Sequence, residues 1–343
     1  MTSTDLAPIV ERAAAPTDLP TLDGVGGLTW RPLTRADVPE LWRLLGAIEE
    51  AERRPYRTSQ EEVDDMFAGD WKNHDLDTRA GIDAEGRIRA YAQVVQPPGD
   101  LRVVRAFLDG GVDPTWRGRG IGRVVLAWSE GRGRQKLAES GKELPARLAS
   151  FVDDNSDQTI RLLRASGFAP VRYYAEMKRP LDAPGPDVPA PDGITIVPWS
   201  EELDDQIRLA HNEAFADHWG SEPRTAQEWT QGRSMFAPTW SLAAIDDATG
   251  EVAGYLMSFK FEQDWELNGY SAGYTDLLGV RRAWRGRRLA GALLSAAMTM
   301  YRADGIEYAE LSVDTANPSG AHKLYTDLGY VVFHSSTMYA IEL

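Results

Sequence analysis

Apolar and polar positions along the chain fall into two successive sets of one pattern. Each set opens with a short extended stretch (Leu28 to Arg31; Ile194 to Pro198), followed by an acid-rich helical pattern (Ala36 to Arg53; Glu202 to His218). Two runs around a glycine turn come next, AGIDAEGRIRAYAQVV and LAAIDDATGEVAGYLMSF, and each reads as a hairpin. A fourth strand leads into an arginine- and glycine-rich turn. The helix after it carries apolar residues at helical spacing, in the second set Leu289, Leu293, Leu294, Ala297 and Met298. One more strand follows (Ala146 to Val152; Tyr308 to Val313), then an Asn, a short helix, a Gly-aromatic pair and a final strand pair. Helices and strands alternate throughout, which predicts an α/β or α+β class with a mixed sheet.

The strong break in the pattern is Pro180 to Gly193, PLDAPGPDVPAPDG, where five prolines in fourteen residues exclude both a helix interior and a central strand. It predicts a linker over residues 181–193 between domains at 26–180 and 194–343. The halves it separates are copies. Phe107 to Ala127, FLDGGVDPTWRGRGIGRVVLA, matches Leu277 to Met298, LLGVRRAWRGRRLAGALLSAAM, around the shared core V-x-x-x-W-R-G-R. Residues 1–25 precede the first copy and are expected to form a flexible arm.

Composition narrows the chemistry. A chain of 343 residues with 43% hydrophobic content can fill two cores. Its formal charge of −15 repels nucleic acid and anionic membranes, so neither is expected as a partner; a small molecule is, with the chain a monomer or homodimer. The chain has no cysteine, which excludes disulfides, thiolate metal sites and acyl relay through a cysteine. Its five histidines form no H-E-x-x-H motif, and no metal is expected. No basic n-region with an apolar run opens the sequence, and no segment approaches the roughly 18 apolar residues of a membrane span. A cytoplasmic location is the resulting expectation.

A strand that runs into a glycine-rich turn at a helix start suits a pyrophosphate, because free N–H groups and the helix dipole both face the anion. Arg117-Gly118-Arg119-Gly120-Ile121-Gly122 has that form. It lacks the G-K-[ST] of a nucleotide P-loop and the G-x-G-x-x-G of a dinucleotide fold. In the second copy Arg281 to Arg288 holds five arginines in eight residues, a local basic island in an acidic chain. Lone arginines are usually solvated. Two such turns at equivalent points, each before an amphipathic helix, favour binding of a small multi-phosphate ligand.

At these residues the chain resembles the GCN5-related N-acetyltransferase (GNAT) family, whose signature is [QR]-x-x-G-x-[GA]. Arg117 to Gly122 satisfies it fully, and Arg285-Gly286-Arg287-Arg288-Leu289-Ala290 satisfies it except that Arg288 takes the place of the middle glycine. The resemblance implies two tandem acyl-CoA N-acyltransferase domains and acetyl-CoA as cofactor. It places the pyrophosphate on these loops and the pantetheine arm along the preceding splayed strand, at Val112 in one copy and Leu278, Gly279 and Val280 in the other. An Asn after the fifth strand belongs near the pantetheine, and Asn155 and Asn317 hold that position. A Tyr in the next helix is the family's acid toward the departing thiolate. Counted from the two Asn, Tyr325 matches it and Leu163 replaces it in the first copy. A phenol of pKa about 10 can protonate a thiolate of about 8.5, whereas Leu163 donates nothing. Helical tyrosines are also common core residues.

This asymmetry resembles the tandem acetyltransferases that include mycothiol synthase, with catalysis in the C-terminal copy and a scaffold or cofactor-binding role in the first. The base that accepts the amine proton is expected to be a carboxylate, with Asp276 first by position and Glu262, Asp264 or Glu266 behind it, though each also reads as a solvated strand-edge charge. His218 and Trp219 lie where the family walls its acceptor site, while Trp229 and Trp240 read as core aromatics. The activity implied is direct acetyl transfer to a primary amine of a small molecule. Alternatives are acylation of a cysteinyl amine in the manner of mycothiol synthase, acetylation of a protein, and a non-catalytic acyl-CoA-binding or regulatory role.

Overall fold

A computed structural model of the chain describes residues 6–183, 185, 187–316 and 320–343. In chain order the first half holds α1 (Ile9–Ala13), β1 (Thr29–Arg31), α2 (Val38–Glu52), α3 (Gln60–Asp65), α4 (His74–Asp77), β2 (Thr78–Ile82), β3 (Ile88–Val95), β4 (Val104–Val112), α5 (Ile121–Glu139), β5 (Ala146–Asp153) and α6 (Asp157–Ala165). Then come β6 (Ala169–Pro180), β7 (Ile194–Pro198), α7 (Glu201–Ala214), α8 (Ala226–Thr230), β8 (Leu242–Asp246), β9 (Val252–Phe259), α9 (Trp265–Asn268), β10 (Ala272–Val280), α10 (Leu289–Ala303), β11 (Tyr308–Asp314), α11 (Ala321–Asp327) and β12 (Val331–Glu342). The class is mixed α/β.

The chain forms two compact units, Met1–Arg172 with Ser336–Leu343, and Tyr173–Ser335. The boundaries therefore fall at 172 and 335 rather than in the proline-rich segment. In the first unit β1 to β5 are neighbours in sequence order, and the stretch Ser336–Glu342 of β12 lies antiparallel to β5. In the second unit β7 to β11 follow in the same order, and Tyr174–Pro180 of β6 lies antiparallel to β11. Each unit thus takes its last strand from the other half of the sequence. This exchange has no local signature, because the pattern of a strand shows its faces and not its neighbour.

Within each unit one pair of strands runs parallel, β4 with β5 and β10 with β11, and both pairings are short: Val104–Phe107 against Ala146–Ala149, and Ala272–Thr275 against Tyr308–Leu311. Beyond them these strands have no mutual pairing among the described residues, which leaves a gap at the C-terminal end of β4 and of β10. The long helix of each unit covers one sheet face. In α10, Leu289, Leu293, Leu294, Ala297, Met298 and Tyr301 are buried, each contributing about 1.5–3 kcal/mol for the larger side chains. Gly273 lets the Tyr301 ring lie on β10, since a Cβ there would sit 2.8 Å from the ring.

The N-terminal segment corrects the expectation of a flexible arm. Among its described residues, Ile9, Ala13 and Leu22 are buried in the core around α5. Arg12 donates to the Leu144 carbonyl at 2.5 Å, and Arg134 and Gln135 of α5 donate to the carbonyls of Ala13 and Pro16 at 2.8 and 3.0 Å. Buried apolar side chains and satisfied carbonyls order a segment whose sequence looks like a tail.

Candidate active site

The two glycine-rich turns share one backbone path. Gly118 and Gly120 have φ of 78° and 80°, and Gly286 and Arg288 have 77° and 65°. Arg288 therefore adopts the left-handed conformation of the glycine it replaces, at a cost of about 1–2 kcal/mol. A Cβ on Gly118, Gly120 or Gly286 would meet nothing within 4 Å, so the outer side of each turn is open. The turns end directly at the first residues of α5 and α10, Ile121-Gly122 and Leu289-Ala290, where helix N–H groups lack intrahelical partners. Open space above glycine at the start of a 15-residue helix fits a pyrophosphate.

The arginines are mostly committed elsewhere. Arg285 donates Nε to the Val280 carbonyl at 3.2 Å and Nη2 to the Ala214 carbonyl at 2.7 Å, which braces the turn against β10 and α7. Arg117 does the same with Val112 at 3.3 Å, its Nη2 meeting Glu52 at 2.7 Å. Arg281 pairs with Glu213 at 2.6 Å, Arg282 with Asp217, and Arg287 donates to the Asp192 carbonyl at 2.6 Å. Arg119 lies over the Trp116 ring at 4.4 Å. Two of the five charges, Arg281 and Arg282, are thus met by carboxylates of α7 and the turn after it, while Arg285 and Arg287 are held by backbone carbonyls. Arg288 is exposed and has no partner among the described residues, which leaves it available to an anion on the turn.

The strand before the second turn carries the main irregularity. Against β9, Thr275 pairs with Ser258 and Leu277 with Met257, so Asp276 is an extra, bulged residue. In the first copy β4 pairs with β3 without interruption from Phe107 to Val112. Asp276 reaches solvent, yet the surrounding protein penalises its charge and raises its pKa, with the Arg224 guanidinium opposing. Its carboxylate has no hydrogen-bond partner among the described residues. Past the bulge, Leu278, Gly279 and Val280 pair only with β9, so their other edge faces the gap. Gly279 is required there, because a Cβ would lie 2.4 Å from the buried Tyr255 ring. Of the other carboxylates, Glu262 is exposed beside Lys260, Glu266 is exposed on α9, and Asp264 begins that helix half-buried.

Tyr325 is 9% exposed on α11, its ring edge-on to Tyr330 with centroids 6.1 Å apart. Burial pushes its pKa up to about 12, and its hydroxyl has no partner among the described residues. Leu163, its counterpart on α6, packs in the first unit's core. Asn317 lies outside the described residues, and Asn155 donates its amide to the Glu52 carbonyl at 2.8 Å. His218 stands beside Phe215 with centroids 4.5 Å apart; burial lowers its pKa against the pull of Asp314 at the end of β11. Trp219 is exposed, and Trp229 and Trp240 lie in core clusters.

Sequence reasoning did not single out His211 and Tyr255. His211 Nδ1 is 2.6 Å from the Tyr255 hydroxyl, and burial, Arg224 and His218 lower its pKa to about 3, so the imidazole is neutral. The available signal was its place on the buried stripe of α7 with Ile207, Ala210 and Ala214.

The second unit thus carries a parting strand pair, a glycine turn at a helix start and a tyrosine-bearing helix. A model of the acetyltransferase (GNAT) family matches residues 205–330. Mycothiol acetyltransferase of Tsukamurella paurometabola is 32% identical over 271 residues, covering 75% of this chain and 83% of that protein. Mycothiol acetyltransferase of Frankia alni is 27% identical over 331 residues, 91% of this chain and 94% of that one. Among solved structures, a GCN5-related N-acetyltransferase from Sphaerobacter thermophilus superposes with a TM-score of 0.69 at 28% identity, over 92% of this chain and 95% of that one. A tandem GNAT protein from the clavulanic acid biosynthesis pathway shares the fold with a TM-score of 0.66 at 20% identity, over 92% and 98%. The chain belongs to the GNAT acetyltransferase family, in its tandem form. It is an acyltransferase of the acetyl-CoA-dependent type.

Proposed function

We propose that the C-terminal unit transfers the acetyl group of acetyl-CoA to a primary amine of a small molecule by direct attack. The observation that supports this reading is the bulge in β10: Asp276, without a hydrogen-bond partner among the described residues, directly follows the last residue of β10 paired with β11. Acetyl-CoA supplies an activated acyl group as its thioester. Gly286 to Ala290 and the free charge of Arg288 hold the pyrophosphate, and the open edge of Leu278–Val280 offers backbone groups to the pantetheine arm and an N–H to the developing oxyanion. Asp276 accepts the amine proton directly or through a water. Its raised pKa brings a carboxylate closer to a working base. Tyr325 stays protonated across the physiological range and donates to the sulfur as the C–S bond breaks. The burial that raises the phenol acts on a thiolate at the same place, which keeps the two pKa values near each other. His218 and Trp219 are assigned to the acceptor side.

Two relatives are named mycothiol acetyltransferases, and with them stands a second reading, acylation of a cysteinyl amine. A single experiment separates the readings. The protein has no cysteine, so CoA release is followed by free-thiol titration across a panel of amines, with cysteinyl acceptors scored by the mass of their N-acetyl product. Release with simple amines supports the first reading, and N-acetylation confined to cysteinyl compounds supports the second. Acetyl-CoA binding with no release on any acceptor makes the protein a binding or regulatory module.

A further inference from the structure

The first unit keeps the better glycine turn, yet its own side chains build over the gap that an acyl-CoA arm needs. β4 and β5 stop pairing after Phe107 and Ala149, and the five residues Glu52 to Tyr56 bridge the loops that follow the two strands. The Glu52 carboxylate accepts from Arg117 Nη2 at 2.7 Å and from Ser156 Oγ at 2.8 Å, and its backbone carbonyl accepts from Asn155 Nδ2 at 2.8 Å. Arg54 pairs with Glu52 at 2.7 Å and with Asp153 at 3.2 Å, while Tyr56 donates to Asp153 at 2.7 Å. Arg117 belongs to the turn after β4; Asp153, Asn155 and Ser156 belong to the end of β5 and the loop after it. Both walls of the gap are therefore fastened to one segment by charge-assisted bonds among largely buried groups. The Asn155 amide, which the family resemblance assigns to pantetheine, is itself committed to Glu52.

In the second unit the nearest carboxylate to Arg285 among the described residues is the exposed Asp217, 4.0 Å away and paired with Arg282. Arg285 follows the path of Arg117, but its close partner at 2.7 Å is the backbone carbonyl of Ala214 rather than a buried carboxylate such as Glu52.

We infer that the N-terminal unit does not take acetyl-CoA: the segment Glu52–Tyr56 closes its groove, and the chain binds one acetyl-CoA, on the C-terminal turn. Gly118 and Gly120 then serve the turn into α5 alone. The inference rests on the reading of the C-terminal unit as the working site, and the test separates the two. Equilibrium dialysis of the intact protein with acetyl-CoA gives the stoichiometry, first for the wild type and then for Gly286→Asp, where a carboxylate opposes the phosphates and a Cβ meets nothing within 4 Å. An unchanged melting curve checks its fold, and Arg288→Glu at an exposed position serves as the second variant. The expected result is one acetyl-CoA per chain, weakened at least tenfold by either variant with no second class of site. Two per chain, one of them surviving both variants, overturns the inference and leaves the C-terminal reading standing. One per chain that survives both variants overturns both.

Discussion

Arg288 and Asp276 show how single positions divide the two copies. Arg288 holds a left-handed backbone that glycine would take without strain, and in return puts an unpaired guanidinium on the turn. Arg288→Gly should stabilise the fold by up to about 1–2 kcal/mol, seen as a higher Tm, while weakening acetyl-CoA binding several-fold and flattening its dependence on salt. A loss of affinity without that change in salt dependence would place the arginine's role in the backbone. The role proposed for Asp276, a base, requires its ionised form. Because its pKa is raised, activity falls as pH drops through a value above the ordinary carboxylate range, and Asp276→Asn should remove that acid limb of kcat/KM and lower kcat by roughly 10²–10⁴. The sign for stability is opposite. A group whose charged form is disfavoured in the folded state opposes folding at neutral pH, so Asp276→Asn should melt at the same temperature or higher.

At the scale of elements, the turns and their helices were legible because W-R-G-R and the spacing of Leu289, Leu293 and Ala297 are local signals. The bulge was not, since a strand pattern of alternating faces does not reveal which residue its neighbour skips. The fate of the arginines was also hidden: Glu213 and Asp217, which neutralise Arg281 and Arg282, stand more than 60 residues earlier on α7 and in the turn after it. Gly279 belongs to this scale because it sets the distance between β10 and the Tyr255–His211 pair. Gly279→Ala forces the Tyr255 ring or the strand to move and should cost about 1–3 kcal/mol, measured by chemical denaturation, with loss of acetyl-CoA affinity. A variant of unchanged stability and affinity would show that the strand has room the geometry denies.

At the scale of the whole molecule, the repeat and the mixed α/β class could be read from the chain, whereas the exchange of last strands could not. It joins residues nearly two hundred positions apart, Arg147 with Glu342, which no local pattern encodes. Removal of Ser336–Leu343 should therefore destabilise the N-terminal unit, which is far from it in sequence, and limited proteolysis should cut first between residues 78 and 172. Cleavage first within 194–335 would contradict the strand's membership. The copies have diverged in complementary ways: one has charge-assisted bonds from Glu52 to Tyr56 across the ends of β4 and β5, the other a bulged carboxylate and a tyrosine hydroxyl without a partner among the described residues. Chemistry in the second of these is tested by the CoA-release rate of Tyr325→Phe beside its affinity for acetyl-CoA: kcat should fall by about 10²-fold or more with Kd unchanged, and an unreduced kcat would show that the tyrosine is not the acid.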